Sequence, residues 1–153
     1  MMSRSRILLL AAMVSGCRLT TDPIPDLVVS IAAAPAVITP TTPAEITVTA
    51  ANRGSRSVTI NVNGCPAPFL VSTMAGGAVE LTPQLCDASL RNKTLVPGEE
   101  YTFRASWDGT RSGGAYGATP ILVAPGDYRL VGAVFAGSGV VRSAPVQIRV
   151  SAR

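Results

Sequence analysis

Residues 95–108 read LVPGEEYTFRASWD and hold, in order, a turn, an alternating strand and the only tryptophan of the chain. Pro97-Gly98 suits the central pair of a type II turn, because proline presets φ and glycine supplies the positive φ that follows. From there Tyr101, Phe103, Ala105 and Trp107 fall on one side of an extended chain, and Thr102, Arg104 and Ser106 on the other. A period of two with aromatic rings on one side predicts a half-buried strand over residues 100–107, its ring-bearing face turned to the core.

The segments around this strand follow the same rule. Residues 27–34 predict a first strand, and residues 35–43 (PAVITPTTP) a proline-broken connection. In residues 44–52 (AEITVTAAN) Ile46, Val48 and Ala50 alternate inward. After the turn Asn52-Arg53-Gly54-Ser55 the alternation resumes at Val58, Ile60 and Val62, so these two segments are expected to pair as a hairpin. Residues 69–72 and 78–81, separated by Gly76-Gly77, form a second expected pair. Residues 108–117 (DGTRSGGAYG) predict an exposed, mobile loop. Pro125-Gly126 looks like a repeat of the Pro97-Gly98 turn, and residues 127–136 and 140–150 give the last two strands around Gly137-Ser138-Gly139. No stretch carries a helical period. Seven or eight short strands with a turn every dozen residues predict an all-β fold, an immunoglobulin-like antiparallel β-sandwich, with a closed barrel as the alternative.

Length and composition agree. A chain of 153 residues makes one domain with a short extension, and at 14% charged residues it leans on Ala, Val, Thr, Gly and Pro. Of the 13 basic residues only Lys93 is lysine. Arg4 and Arg6 lie in the leader, and the remaining 11 face 9 acidic residues, a small and unclustered excess that gives no case for a nucleic-acid partner.

Residues 1–17 set the expected location. Arg4 and Arg6 precede a short apolar run, ILLLAAMV at residues 7–14, too short for a membrane span of about 20 residues. Val14-Ser15-Gly16-Cys17 then resembles the lipobox of bacterial lipoproteins. The resemblance implies a signal peptide over residues 1–16, cleavage before Cys17 and lipidation of Cys17. An ordinary secretory signal is the alternative. Acyl chains would hold the protein on a membrane at about 0.8 kcal/mol per buried CH₂. Residues 17–26, lipidated cysteine and a proline-bearing tether, would lead into the domain at 27–153. The expected location is the cell envelope: the periplasmic side of the outer membrane in a double-membraned bacterium, otherwise the outer face of the plasma membrane.

Two further cassettes carry a family resemblance. Leu95-Val96-Pro97-Gly98-Glu99, Tyr101, Phe103 and Trp107-Asp108 are matched by Val123-Ala124-Pro125-Gly126-Asp127-Tyr128-Arg129-Leu130. Together with residues 46–58 this arrangement resembles the intracellular proteinase inhibitor (BsuPI-like) domain family. The resemblance covers roughly residues 44–150 and implies an immunoglobulin-like sandwich and, by the family's name, proteinase inhibition. No inhibitory residue carries over, and the export leader departs from an intracellular family.

With Cys17 given to lipid, Cys65 and Cys86 remain as an even pair, read here as a disulfide closing a loop of about 20 residues and contributing about 3 kcal/mol. Free thiols are one alternative; a zinc site is another, but without histidine it would need carboxylates to complete four ligands, so no metal and no cofactor are expected. The absence of histidine also removes the commonest base near neutral pH. Glu99 and Glu100 point to opposite faces of a strand, and Asp108 and Asp127 flank turns, so no acid-base pair is formed and no catalytic residue is assigned. Arg111 and Tyr116, in the loop after Trp107, form the candidate binding site, since both residue types are enriched at binding hot spots. The expected function is a non-enzymatic, lipid-anchored binding or accessory module with a protein partner, a protease among the candidates. A genuine proteinase inhibitor and a structural subunit of an envelope complex are the rivals.

Overall fold

The computed structural model describes residues 26–63, 67–82, 91–114 and 117–152. Its strands are β1 (Leu27–Ala34), β2 (Val37–Ile38), β3 (Ala44–Asn52), β4 (Val58–Asn61), β5 (Phe69–Thr73), β6 (Ala78–Val79), β7 (Asn92–Leu95), β8 (Glu100–Trp107), β9 (Thr110–Arg111), β10 (Ile121–Leu122), β11 (Gly126–Ala136), β12 (Gly139–Arg142) and β13 (Val146–Val150). Strands β1, β3 and β8 form one antiparallel sheet, in that order. The second sheet is organised on β11, which pairs β12 and β13 along one edge and β4 and β5 along the other, with β7 outside β4.

Merging the interrupted neighbours β4/β5 and β12/β13, and setting aside the two-residue segments, leaves seven strands. The first, second and fifth make one sheet and the other four make the second. That is an immunoglobulin-like sandwich, as the strand pattern predicts. One pair departs from the antiparallel expectation: β2, inside the proline-broken connection, runs parallel to β13, with Val37 opposite Arg149 and Ile38 opposite Val150.

Alternation explains the core. On β3, Ala44, Ile46, Val48 and Ala50 are fully buried, while Glu45, Thr47 and Thr49 point outward. On β11 the inward set is Tyr128, Leu130, Gly132, Val134 and Ala136. Ile60, Leu95 and Ile148 close the interior, each fully buried aliphatic side chain contributing roughly 1.5–3 kcal/mol. At Gly132 the two sheets approach closely: a Cβ there would lie 3.0 Å from Val48 Cγ1 and 3.4 Å from Ile31 Cβ. A side chain at that point would press on Val48 and Ile31 across the sandwich, and glycine lets the sheets meet without it. Opposite it, Ser143 bridges the break between β12 and β13 by donating its N–H to the Gly132 carbonyl and accepting the Gly132 N–H on Oγ at 2.8 Å.

Tyr128 opens β11 and donates its hydroxyl to the Ala124 carbonyl, four residues upstream, at 2.7 Å. This is the tyrosine corner that Greek-key sandwiches place at the start of their sixth strand. Its ring also meets Trp107 edge-on at a centroid distance of 5.7 Å, joining the two sheets. The Pro97-Gly98 turn forms as expected, with Gly98 at φ 83° and Glu99 N–H closing on the Val96 carbonyl at 3.0 Å. Pro125-Gly126 does not repeat it. Gly126 is already extended and is paired with Val150.

The expected hairpin of residues 44–52 with 58–62 does not form. Both edges of β3 are taken, by β1 and β8, so the chain crosses to the other sheet. The crossing is made by Asn52, a fully buried polar side chain. Its Nδ2 donates to the Arg56 and Leu95 carbonyls at 2.8 and 2.9 Å, and its Oδ1 accepts the Gly54 N–H at 3.0 Å. Its own backbone bonds Glu99 and Gly98. Truncating this side chain would strand the buried Leu95 carbonyl and leave the part-buried Arg56 carbonyl and Gly54 N–H without their partner, an unpaired buried group costing about 1–3 kcal/mol. Asn52→Ala is therefore expected to lower stability by about 2–4 kcal/mol in urea denaturation. An exposed control, Thr59→Ala, is expected to change it by less than about 0.5 kcal/mol.

Candidate binding site

A cleft of about 1560 Å³, lined by both apolar and polar side chains, opens between β8 and the β5–β6 hairpin. Seven consecutive residues of β8, from Tyr101 to Trp107, line it. An uninterrupted run of that kind is what a strand presents along its hydrogen-bonding edge, since either face alone would show every second residue. Among the described residues no strand pairs that edge, because β8 takes β3 as its neighbour and ends the sheet. Phe69, Val71, Val79 and Leu81 form the facing wall.

The rings on β8 divide their roles. Phe103 and Trp107 are buried and belong to the core; Trp107 donates its Nε1–H to the Thr110 carbonyl at 2.8 Å. Tyr101 is half-buried and packs edge-on against Phe103 at 4.9 Å, leaving its outer side at the cleft. The Thr82 hydroxyl lies buried in the same wall with no hydrogen-bond partner among the described residues. Small-molecule pockets occupy about 300–1,000 Å³. A longer cleft bordered by a free strand edge suits an extended segment of polypeptide, which can add to the sheet through its main chain.

Of the candidate residues read from the sequence, Arg111 alone is described; Cys17, Cys65, Cys86 and Tyr116 lie outside the described residues. Arg111 is exposed at the end of β9 and donates to the neighbouring Ser112 carbonyl at 3.4 Å. The segment that carries it is more ordered than the glycines suggest. Residues Thr110 and Arg111 pair with Leu122 and Ile121, Ser112 is buried, and its N–H bonds the Glu80 carbonyl at 2.7 Å. The described part of this segment is pinned to the end of the β5–β6 wall, so it borders the cleft.

The acids singled out in the sequence are each engaged in local structure. Asp108 Oδ1 accepts from Thr110 N and Oγ1, at 3.1 and 2.6 Å, which is an Asx-turn. Asp127 takes a two-pronged bond from Arg149, Nε at 2.7 Å and Nη2 at 3.0 Å. Glu100 pairs with Arg53. Glu99 pairs with Lys93 at 2.7 Å and accepts the Val96 N–H at 3.1 Å, so it ties the turn to β7. The Lys93 bond, followed by the Val96 bond, holds the Glu99 carboxyl below its usual range, and Arg149 does the same for Asp127. Burial pushes the Tyr128 phenol up.

The β5–β6 wall was legible as two alternating segments, but its role was not. Only the pairing of β3 with both β1 and β8 shows that, among the described residues, β8 is left with an open edge toward it.

No family model matches the chain, and no curated protein matches its sequence. Among solved structures it is similar to a β-glucosidase from Erythrobacter marinus, at 13% identity and a TM-score of 0.47, over 82% of this chain and 15% of that one. It is also similar to an alkylpurine DNA glycosylase of Pseudomonas fluorescens, at 12% identity and a TM-score of 0.49, over 83% and 31%. The CARDB domain of a Pyrococcus furiosus protein is similar at 18% identity and a TM-score of 0.46, over 82% and 88%. The chain thus spans less than a third of either enzyme. The likenesses are distant, and the fold assignment rests on the strand pairing described above.

The two lowered carboxyls give a signed expectation. A carboxyl whose folded value lies below its unfolded one contributes stability above the unfolded value and loses it as pH falls through the folded value. Glu99→Gln is expected to flatten the fall in melting temperature between about pH 5 and about pH 3 relative to the parent protein, with Arg149→Gln doing the same through Asp127. Equal slopes in parent and variants, read by circular dichroism, would count against these pairs.

Proposed function

We propose that this is a lipid-anchored, non-enzymatic protein of the bacterial cell envelope whose sandwich acts as a protein-binding or accessory module. The anchoring half rests on the leader, where Arg4 and Arg6, the apolar residues 7–14 and the ending Val14-Ser15-Gly16-Cys17 stand in lipoprotein order. The binding half rests on one observation, the edge of β8 that no strand pairs among the described residues, lying along the cleft. An extended peptide segment laid there would bond its main chain to β8 and seat alternate side chains against Tyr101, Val79 and Leu81. The engagement of Glu99, Glu100, Asp108 and Asp127 in ion pairs and turns supports a non-catalytic reading. Cys65 and Cys86 are proposed to form a disulfide, which has a structural role in this reading.

Two measurements test the proposal. Cys17→Ser is expected to move the protein from the membrane fraction to the soluble fraction and to remove the lipid mass; unchanged fractionation would remove the anchoring half. A photo-crosslinking residue at Thr102, on β8, is expected to capture one dominant protein in intact membranes, while the same residue at Thr59 captures none. Capture of a protease whose activity then falls with stoichiometric amounts of the protein would favour the inhibitor rival. For the cysteines, the intact mass is expected to rise by about two daltons on reduction.

A further inference from the structure

A second surface lies on the outer face of the β11 sheet and meets the cleft at Leu70, Val131 and Arg142. Val131 stands opposite Leu70, Ala133 opposite Arg142, and Phe135 opposite Val140, so these six side chains share one stripe. Leu70 is 49% exposed, Phe135 45% and Val140 36%, although outward positions of a sandwich are ordinarily polar. Arg129 lies two residues before Val131 on the same face, and Arg142 lies within the stripe; both are exposed. Neither has a carboxylate partner among the described residues. Asp127, the carboxylate on this strand, is held by Arg149. The stripe is therefore apolar with an unbalanced positive charge.

Its position relative to the start of the domain is fixed by pairing. Leu27 stands opposite Asn52, Asn52 bonds the Leu95 carbonyl, and Leu95 stands opposite Val58. Ile60 in turn pairs with Ala136. The Phe135–Val140 end of the stripe is thus at the same end of the sandwich as the point where the tether enters. The nine residue steps from Cys17 to Asp26 reach at most about 30 Å.

We infer that this stripe is the face the domain lays on an anionic lipid surface, with Arg129 and Arg142 at the headgroups and Phe135, Val140 and Leu70 at the interface. The inference rests on the lipid-anchor reading above. A pair of arginines and three apolar side chains would hold a free protein weakly. An acylated domain is already confined next to the bilayer, and the high effective concentration lets a weak face contact set its orientation. The tether's entry at this end and the charge of the stripe favour a membrane over an acidic protein as the occupant.

The test uses the full-length lipidated protein, purified from membranes and reconstituted into vesicles of phosphatidylglycerol and phosphatidylethanolamine. Phe135→Trp introduces an exposed indole, whereas the native Trp107 is buried. With acyl chains brominated near the headgroup, the emission added by that substitution is expected to fall at least about twofold, as for a side chain about 5–10 Å into the interface. The native protein should show little quenching. Quenching should disappear in phosphatidylcholine vesicles, in high salt and in the Arg129→Gln/Arg142→Gln variant. Protein that floats with the vesicles but shows no quenching overturns the face assignment alone and points to an acidic protein surface. Quenching that survives both arginine substitutions overturns the charge match. Protein that does not float overturns the lipid anchor and this inference together.

Discussion

The sandwich depends on how Asn52 is satisfied. A carboxamide buried away from water is tolerated only when its donors and acceptor are all engaged, and here five bonds converge on one residue. They tie the end of β3 to the start of β4, to the end of β7 and to the turn before β8. Those are the points where the chain passes between sheets. The Pro97-Gly98 turn and the Glu99–Lys93 pair sit at that junction, where Gly98 and Glu99 bond the Asn52 backbone.

Much of the sandwich was legible because one face of each strand is apolar and the period is two. The β8 segment is the clearest case. Phe103 and Trp107 are buried and Thr102, Arg104 and Ser106 are outward, as the pattern required. The pairing of residues 44–52 with 58–62 misled for a physical reason. Alternation says which way side chains point, but not which strand lies alongside, and proximity in sequence favoured a hairpin. What decided otherwise was the polar residue at the turn, read as an ordinary turn asparagine and found to bond across the sandwich. Pro125-Gly126 misled in a similar way, since the dipeptide suits a turn but Gly126 is drawn into the ladder with Val150.

The site was less legible than the fold. A cleft is made by distant segments, and nothing local in residues 69–81 marks them as the wall facing β8. Arginine and tyrosine in a glycine-rich loop suggested recognition, yet the described part of that loop is a short hairpin whose Ser112 is buried and bonded to Glu80. The acids tell the complementary story. Their spacing gave no ground to expect a converging pair, and the structure engages Glu99 with Lys93, Glu100 with Arg53, Asp127 with Arg149 and Asp108 with a turn amide.

The place of β11 in the chain has a temporal side. Residues 27–107 contain one complete sheet, and the partners that flank β11 on one side, β4 and β5, are also made early. None of them can close the core, since the strand that bonds to both neighbours and carries Tyr128, Leu130 and Val134 begins at residue 126. A chain emerging amino-end first must keep its first sheet half-covered until nearly all of it has been delivered. Its native contacts are mostly between distant segments, which makes closure a late and cooperative event. Such a domain sets as a unit once its last strands arrive.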